Sequence, residues 1–463
     1  MFNFSEFEHF TTIIDGPTGS GKTHRMLSSL TPDKQWLLVT PRLTECLRFC
    51  DCDEETGKEL PENQKLHPNV KVVQPDRAKG VRNKTAHLIE LLKAGGNVAI
   101  THALYDNLKD AADKHLLANI HVIIDEVVDP IDVRRGVSAD VLNKQLIGHD
   151  YAIIDPVTQQ LRPTNKWDML VETRRNRKTG EQELVNGFHP DLYKLASRGK
   201  LLKHSDSLFM VATPPEVLLG GKSLTIMTFK SEGSYLLRYL KGLSKAFPKA
   251  RPHVVKVHSD EFIRRATELV TAEYMNVTHC GSLGYEGQEK MTKAQQATMG
   301  IAIRNYRQRK WYSKIPAEQT AVVCAKSKWE FDGFSAQGEK KVFPTAMSKE
   351  TRLFKGGTFI SAKTRAVNKY DHLTHMFFCY DLHANPTVMD FLGCRSKEFD
   401  DDFALAECIQ TVWRLAQRRY SNPEPVTVVF ASKRMFDLFT AWQRSLSEND
   451  GNQTDEFEVL EAA

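Results

Sequence analysis

The sequence predicts an α/β protein built on parallel β-sheets with helices on both faces, and three observations predict it. A glycine-rich pattern, Gly16-Pro17-Thr18-Gly19-Ser20-Gly21-Lys22-Thr23, follows a β-rich run and precedes a helix-like one. A second apolar run, His121 to Ile124, ends in two acids, Asp125 and Glu126. Further apolar runs, each ending in a polar or turn group, alternate with helical stretches through the chain.

Length and composition bound the reading first. At 463 residues the chain suits two to three domains. Apolar residues make up 41% and charged residues 26%, an ordinary globular balance. No stretch approaches the apolar length of a membrane span, and the first residues lack the basic-then-apolar pattern of a signal peptide. The expectation is therefore no membrane partner and a cytoplasmic protein, in a host cytoplasm if the source is viral. A net charge of +5 permits nucleic-acid binding without arguing for it. Eight cysteines are scattered, and only Cys46, Cys50 and Cys52 cluster. A fourth ligand at zinc-finger spacing does not follow them, so buried reduced thiols are the better reading.

The first element is the strand Thr11 to Ile14 with its glycine loop. The full G-x-x-x-x-G-K-T spacing between a strand and a helix is the context that phosphate binding requires. Glycines let backbone N–H groups turn inward around phosphate oxygens, and the helix N-terminus adds positive potential. Gly16, Pro17, Thr18, Gly19, Ser20 and Gly21 would form the cradle. Lys22 would bridge the β- and γ-phosphates, and Thr23 would hold Mg²⁺.

The next element is the run His121 to Ile124, which has the form of a strand buried on both faces. Ligands bind at the carboxyl edge of such sheets. Asp125 would hold Mg²⁺ and Glu126 would orient and polarise an attacking water. Trp36 to Thr40, Asn97 to Ile100 and Leu208 to Val211 read as further strands of the first lobe. Val322 to Ala325, Thr358 to Ser361, Thr374 to Cys379 and Val426 to Ala431 read as strands of a second.

These pieces in this order resemble superfamily 2 helicases. Thr40-Pro41-Arg42 looks like their strand-contacting T-P-x-R segment without its spacer residue. Asp125-Glu126-Val127-Val128 looks like the D-E-x-x box, with Val128 where many members carry Asp or His. Ala212-Thr213-Pro214 looks like the S-A-T motif that relays hydrolysis to the strand. Later patches are similar to phage-encoded helicase-like ATPases: Thr228 to Tyr235, Thr364 to Tyr370, and Asp402 to Leu405 leading to Trp413-Arg414. The resemblance implies two RecA-like lobes in tandem, with ATP and Mg²⁺ between them and arginines of the second lobe completing the site. Gln410, Arg414 and Arg418 fit that role, because i, i+4 and i+8 share one face of a predicted helix. An arginine at the γ-phosphate would stabilise transition-state charge. It further implies nucleic acid as partner, single-stranded or forked DNA first and RNA second. Thr40, Arg42, Thr101, Thr213, Thr364 and Arg365 are the candidates for coupling or strand contact. No adenine-reading glutamine motif precedes the glycine loop.

The expected organisation is a first lobe over 1–245 and a second over 246–445. An insertion at about 131–205 lengthens the first lobe, and 446–463 is an acidic, disordered tail. Gly242 to Pro252 reads as the linker. Met169 to Leu184 reads as a hairpin with a basic tip, Arg174 to Lys178, which suits strand gripping and suits a solvated loop equally. The run Arg304 to Tyr312 interleaves bases with aromatics, as stacking on bases would need and as a core-facing amphipathic helix would also show. The function expected is an ATP-dependent helicase or translocase, of phage DNA replication or recombination type. The alternatives are a viral DNA-packaging motor and a non-motor, nucleic-acid-dependent switch or loader. The residues alone carry Mg²⁺-dependent NTP hydrolysis, and the resemblance carries the word helicase.

Overall fold

A computed structural model describes residues 10–17, 21–53, 55–76, 84–126, 130–134, 138–175, 182–205, 208–248, 251–256, 260–311, 314–335, 339–362, 369–419, 422–448 and 459–460. The first lobe is built in chain order from β1 (Phe10–Asp15), α1 (Lys22–Ser28), β2 (Gln35–Thr40), α2 (Leu43–Phe49), β3 (Val72–Val73), β4 (Asn97–Thr101) and β5 (Ile120–Asp125). A subdomain follows, with β6 (Ile131–Arg134), β7 (Ala152–Ile154), β8 (Leu161–Pro163), β9 (Val171–Arg175), β10 (Gln182–Asn186), β11 (Leu201–Ser205) and β12 (Leu208–Ala212). The lobe closes with β13 (Ser223–Thr228) and β14 (Pro252–Lys256).

Its sheet runs β14-β1-β13-β5-β2-β4-β3, and every pairing among these strands is parallel. This is the strand order of a RecA-like lobe: one strand lies between the glycine-loop strand and the acid strand. That strand is β13, so Asp15, Thr228 and Asp125 end three neighbouring strands at one edge. Leu37, Leu38 and Val39 of β2 and Val122, Ile123 and Ile124 of β5 are buried, because helices cover both faces.

The sheet corrects two expectations. Leu208–Ala212 does not join it; β12 pairs antiparallel with β6 and β11. The insertion accordingly runs to β12, and its own core holds Leu142, Leu146, Trp167 and Phe209. The first lobe also runs past residue 245, since β14 pairs with β1 across Ile13–Val254. What reads as linker is in part the helix Tyr235–Ala246 leading into that strand. In the tail, Val459–Leu460 forms a short strand antiparallel to β14.

The second lobe adds β15 (Val270–Tyr274), β16 (Thr320–Val323), β17 (Glu330–Phe334), β18 (Lys340–Pro344), β19 (Thr358–Ile360), β20 (His375–Phe378) and β21 (Val426–Phe430). Its five-stranded sheet, β15-β21-β20-β16-β19, is parallel throughout. The protein thus has two RecA-like lobes in tandem. Arg304 to Trp311 resolves toward packing: Tyr306 meets Trp311 and Phe377 edge-on, and Arg304 pairs with Glu350 at 2.9 Å. The β9–β10 hairpin forms as expected, and residues 176–181 at its tip lie outside the described residues. No described helix is long and apolar enough to cross a membrane.

Candidate nucleotide-binding site

The site is assembled from the carboxyl ends of β1, β13 and β5, from α2, and from two stretches of the second lobe, Asp371 and Gln410 to Arg419. Gly21 sits at φ 79° and caps α1, a left-handed turn that a side chain would strain. That turn delivers Lys22 and Thr23 to the sheet edge. Together these segments line a cavity of about 470 Å³ between the lobes.

Lys22 donates from Nζ to the carbonyl oxygens of Gly16 and, at 2.8 Å, Pro17. Burial depresses its pKa to about 8, opposed by the nearby Asp125, Glu126 and Asp15. Thr23 Oγ1 donates to Asp125 Oδ1 at 2.9 Å. Burial raises the Asp125 pKa, and the neighbouring Glu126 adds to the rise. Asp15 is committed elsewhere: it accepts the backbone N–H groups of Lys230 and Ser231 at 2.8 and 2.7 Å. Gly16 N donates to Thr228 O at 2.9 Å and ties the glycine loop to β13.

Glu126 adopts φ 64°, uncommon for a residue with a side chain, while its N–H donates to Met227 O at 3.0 Å. This turn points its carboxylate across the lobe boundary. There Arg414 Nη2 donates to Glu126 Oε1 at 2.7 Å, with Arg414 only 2% exposed. Arg418 also lines the cavity, and burial followed by the adjacent Arg414 lowers its pKa to about 10. Gln410 Nε2 reaches Phe229 O at 3.5 Å, and Trp413 packs on the Phe229 ring.

The expected helical face needs correction. The helix spans Lys397–Val412, Trp413 caps it, and Ala416–Arg418 is a separate short 3-10 turn. Gln410, Arg414 and Arg418 meet in the cavity by that change of direction rather than along one helix.

The described residues bring Gly16, Pro17, Gly21, Lys22, Thr23, Asp125, Glu126, Gln410, Arg414 and Arg418 together. Thr18, Gly19, Ser20, Thr364 and Arg365 lie outside the described residues. Thr40 is buried at the end of β2, and Arg42 is exposed at the N-cap of α2. Thr101 lines a second cavity of about 290 Å³ with Leu43, Gln74 and Lys84. Thr213 is not in the nucleotide cavity: its Oγ1 donates to Asp106 at 2.9 Å and fastens the insertion to the first lobe. Thr228 occupies the cavity wall instead. Glu45, Arg48 and Asp371 also line it, and sequence reasoning missed all four. The run Leu224 to Thr228 carried the same β-rich signal as Leu208 to Ala212 and could have been weighed against it.

The hydroxyl of Thr23 and the carboxylate of Asp125, in contact beside Lys22, are hard oxygen donors that fit Mg²⁺.

Residues 262–443 match the family described as the YonV C-terminal Rossmann-like domain. The chain is 21% identical over 442 residues to the SPbeta prophage-derived uncharacterized protein YonV of Bacillus subtilis (strain 168). That alignment covers 93% of this chain and 98% of the relative. Among solved structures, an S. cerevisiae Dbp5 variant bound to RNA and ADP BeF3 aligns at TM-score 0.36 and 12% identity. It covers 95% of this chain and 84% of that one. Mss116p bound to ssRNA and AMP-PNP aligns at TM-score 0.35 and 12% identity, covering 96% and 70%. The assignment of two RecA-like lobes rests on strand order, not on these scores.

Proposed function

We propose that this protein is a nucleic-acid-stimulated ATPase of the helicase type, with single-stranded or forked DNA as the first substrate class and RNA as the second. The observation that carries the reading is the Arg414–Glu126 contact: a second-lobe arginine, almost wholly buried, reaches the acid box beside the glycine loop. A nucleotide held on Lys22 and Thr23 would lie where both lobes can touch its phosphates. Mg²⁺ bound at Thr23 and Asp125 would neutralise charge on the phosphate oxygens.

In this mechanism Lys22 exchanges the two loop carbonyls for phosphate oxygens. The γ-phosphate draws Arg414 away from Glu126, so one event supplies transition-state charge and frees the carboxylate to orient water. Arg418 adds positive charge from the same segment. After hydrolysis Arg414 returns to Glu126 and the lobes' grip on a strand resets. The chain's likeness to a prophage-derived protein over nearly its full length supports a phage setting for this activity, and a role there in DNA replication or recombination is the finer reading proposed.

The test is the rate of ATP hydrolysis with Mg²⁺ for wild type, Lys22→Ala and Arg414→Ala, each with and without single-stranded DNA or RNA. Stimulation by one nucleic acid, with loss of activity in both variants, is expected and names the substrate class. Unstimulated hydrolysis, or hydrolysis that survives Arg414→Ala, overturns the two-lobe mechanism.

A further inference from the structure

We propose that Asp15, the residue before the glycine loop, is a positioning residue for Arg414: it holds the first-lobe stretch on which the arginine helix seats. The inference rests on the two-lobe ATPase reading above and adds a residue that reading does not use.

β1 ends at Asp15, and Gly16 of the phosphate loop follows it. Asp15 is only 7% exposed. A buried carboxylate needs partners, and here both oxygens go to one turn. Oδ1 accepts the N–H of Lys230 at 2.8 Å, and Oδ2 accepts that of Ser231 at 2.7 Å. Lys230, at a left-handed φ of 54°, leads into the 3-10 turn Ser231–Gly233. The first N–H groups of a helical turn have no acceptor inside the turn. Asp15, 215 residues earlier in the chain, supplies one from a different strand. Two charge-assisted bonds from one carboxylate fix both the place and the direction of the turn.

The second lobe seats on this turn and on both sides of it. Before the turn, Phe229 O accepts from Gln410 Nε2 at 3.5 Å, and the Phe229 ring meets Trp413 with centroids 5.9 Å apart. Within it, Gly233 packs on the backbone of Asp402 and Phe403. After it, Tyr235 stacks on Phe403, and its hydroxyl accepts the N–H of Asn385 at 2.5 Å. These contacts reach both the start and the end of the helix Lys397–Val412, and Arg414 lies just past that end. Close packing transmits a shift of the turn to the helix. Asp15 therefore ties the root of the phosphate loop to the surface that sets where Arg414 arrives.

Asp15 also stands near enough to Lys22 to favour its ammonium. A role confined to the loop would thus appear as weaker ATP binding, whereas a role in seating Arg414 appears in the rate of hydrolysis alone.

The experiment compares wild type, Asp15→Asn, Asp15→Glu, Arg414→Ala and the double variant of Asp15→Asn with Arg414→Ala. Single-turnover hydrolysis of ATP is followed with Mg²⁺, excess enzyme and a single-stranded DNA or RNA oligonucleotide. Affinity is measured by titrating a fluorescent ATP analogue. Asparagine turns one acceptor oxygen into a donor that faces a backbone N–H. Asp15→Asn should therefore slow hydrolysis about tenfold, less than the ~10²-fold of a 1 Å misplacement, with affinity held. Asp15→Glu, which keeps two acceptors, should recover part of the rate. In the Arg414→Ala background Asp15→Asn should change the rate little, because residues that act through one another are not additive. In wild type, amide hydrogen exchange should show Lys230 and Ser231 protected, a check that needs no variant.

A folded Asp15→Asn protein with a rate within about threefold of wild type overturns the inference and leaves the proposed function standing. So does a rate that falls only as affinity falls, a full effect in the Arg414→Ala background, or free exchange at Lys230 and Ser231. If wild type does not hydrolyse ATP, or Arg414→Ala hydrolyses it normally, the proposed function fails and the inference fails with it.

Discussion

Gly233 offers a steric test of whether the second lobe must seat closely for chemistry. It ends the short turn Ser231–Gly233 on the first lobe and is buried against the backbone of the helix Lys397–Val412. A methyl group there would lie 2.5 Å from Asp402 O and 2.9 Å from Phe403 N. Ordinary contact begins at 3.4 Å, so Gly233→Ala must push that helix off the first lobe by about 0.9 Å. The backbone at Gly233 is not left-handed, so alanine meets the obstacle of space alone. The displaced helix carries Gln410 and leads directly to Arg414. A shift of that size takes the 2.7 Å Arg414–Glu126 contact out of hydrogen-bond range. Misplacing a reacting group by about 1 Å costs on the order of 10²-fold in rate. Steady-state hydrolysis should show kcat lower by about that factor, with the KM for ATP little changed because the phosphate loop lies wholly in the first lobe. Overpacking should cost about 1–3 kcal/mol of stability as well. A folded Gly233→Ala protein with kcat within about threefold of wild type would refute the close-seating argument.

Three further outcomes follow from the same geometry. Lys22 has its pKa lowered from 10.5 to about 8, so its ammonium is present below pH 8 and lost as pH rises through that value. The kcat/KM for ATP should fall above about pH 8, and the residual activity of Lys22→Arg should lack that limb, which a pH profile checks; a limb that persists in the arginine variant assigns it to another group. For stability the sign is opposite: between about pH 8 and 10.5 the unfolded chain binds more protons at this lysine, so raising pH through that window favours the fold. Thr228→Val should slow hydrolysis by about tenfold or more by disturbing the cavity wall, while Thr213→Val, remote from the cavity, should leave kcat near wild type and lower the melting temperature through the lost Asp106 bond; equal kinetic effects would contradict this placement. His67 is 4% exposed and meets Phe49 O, Val70 O and Asp51, so His67→Leu should destabilise the first lobe by about 3 kcal/mol in urea denaturation; a change below about 0.5 kcal/mol would show that the loop closes without it.

The parts of the site legible in the sequence are those coded contiguously. The phosphate loop and the acid box each sit in one short run, where a strand, a turn and the functional side chains come in order, and strand propensity and turn chemistry agree there. The strand between them was not legible. Leu208–Ala212, followed by Thr213, and Ser223–Thr228 are both short β-rich runs leading to a threonine, and only long-range pairing decides between them. β12 finds β6 as an antiparallel partner inside the insertion, whereas β13 finds β1 and β5. The end of the arginine helix was hidden for a similar reason. Trp413 and Leu415, on either side of Arg414, are both fully buried. A continuing helix would not bury both flanking residues while aiming Arg414 at Glu126, so tertiary packing breaks the period at Val412. Glu45 and Arg48 carry no local signal of a site, since nothing within α2 indicates that β5 passes beneath it.

The two lobes meet through contacts of opposite chemical character, and this limits how the nucleotide can act. At one end the seam is apolar. Tyr235 stacks on Phe403 with centroids 5.1 Å apart, and Val388, Met389 and Phe399 of the second lobe join the first lobe's own core. Separating those surfaces exposes buried carbon, at a cost that grows with area. At the cavity end the Arg414–Glu126 ion pair joins the packing of Trp413 on Phe229, and a polyphosphate can replace that pair charge for charge. In the proposed mechanism, binding energy from a nucleotide would therefore be spent at the polar end, while the apolar end would hold as a pivot. Gly233 packs against the helix Lys397–Val412 near the apolar end, and Arg414 lies just past that helix's far end. In that mechanism a small rotation about the Tyr235 seam would become a displacement at Arg414, and a side chain at Gly233 would hold the seam open by its contact with Asp402 O.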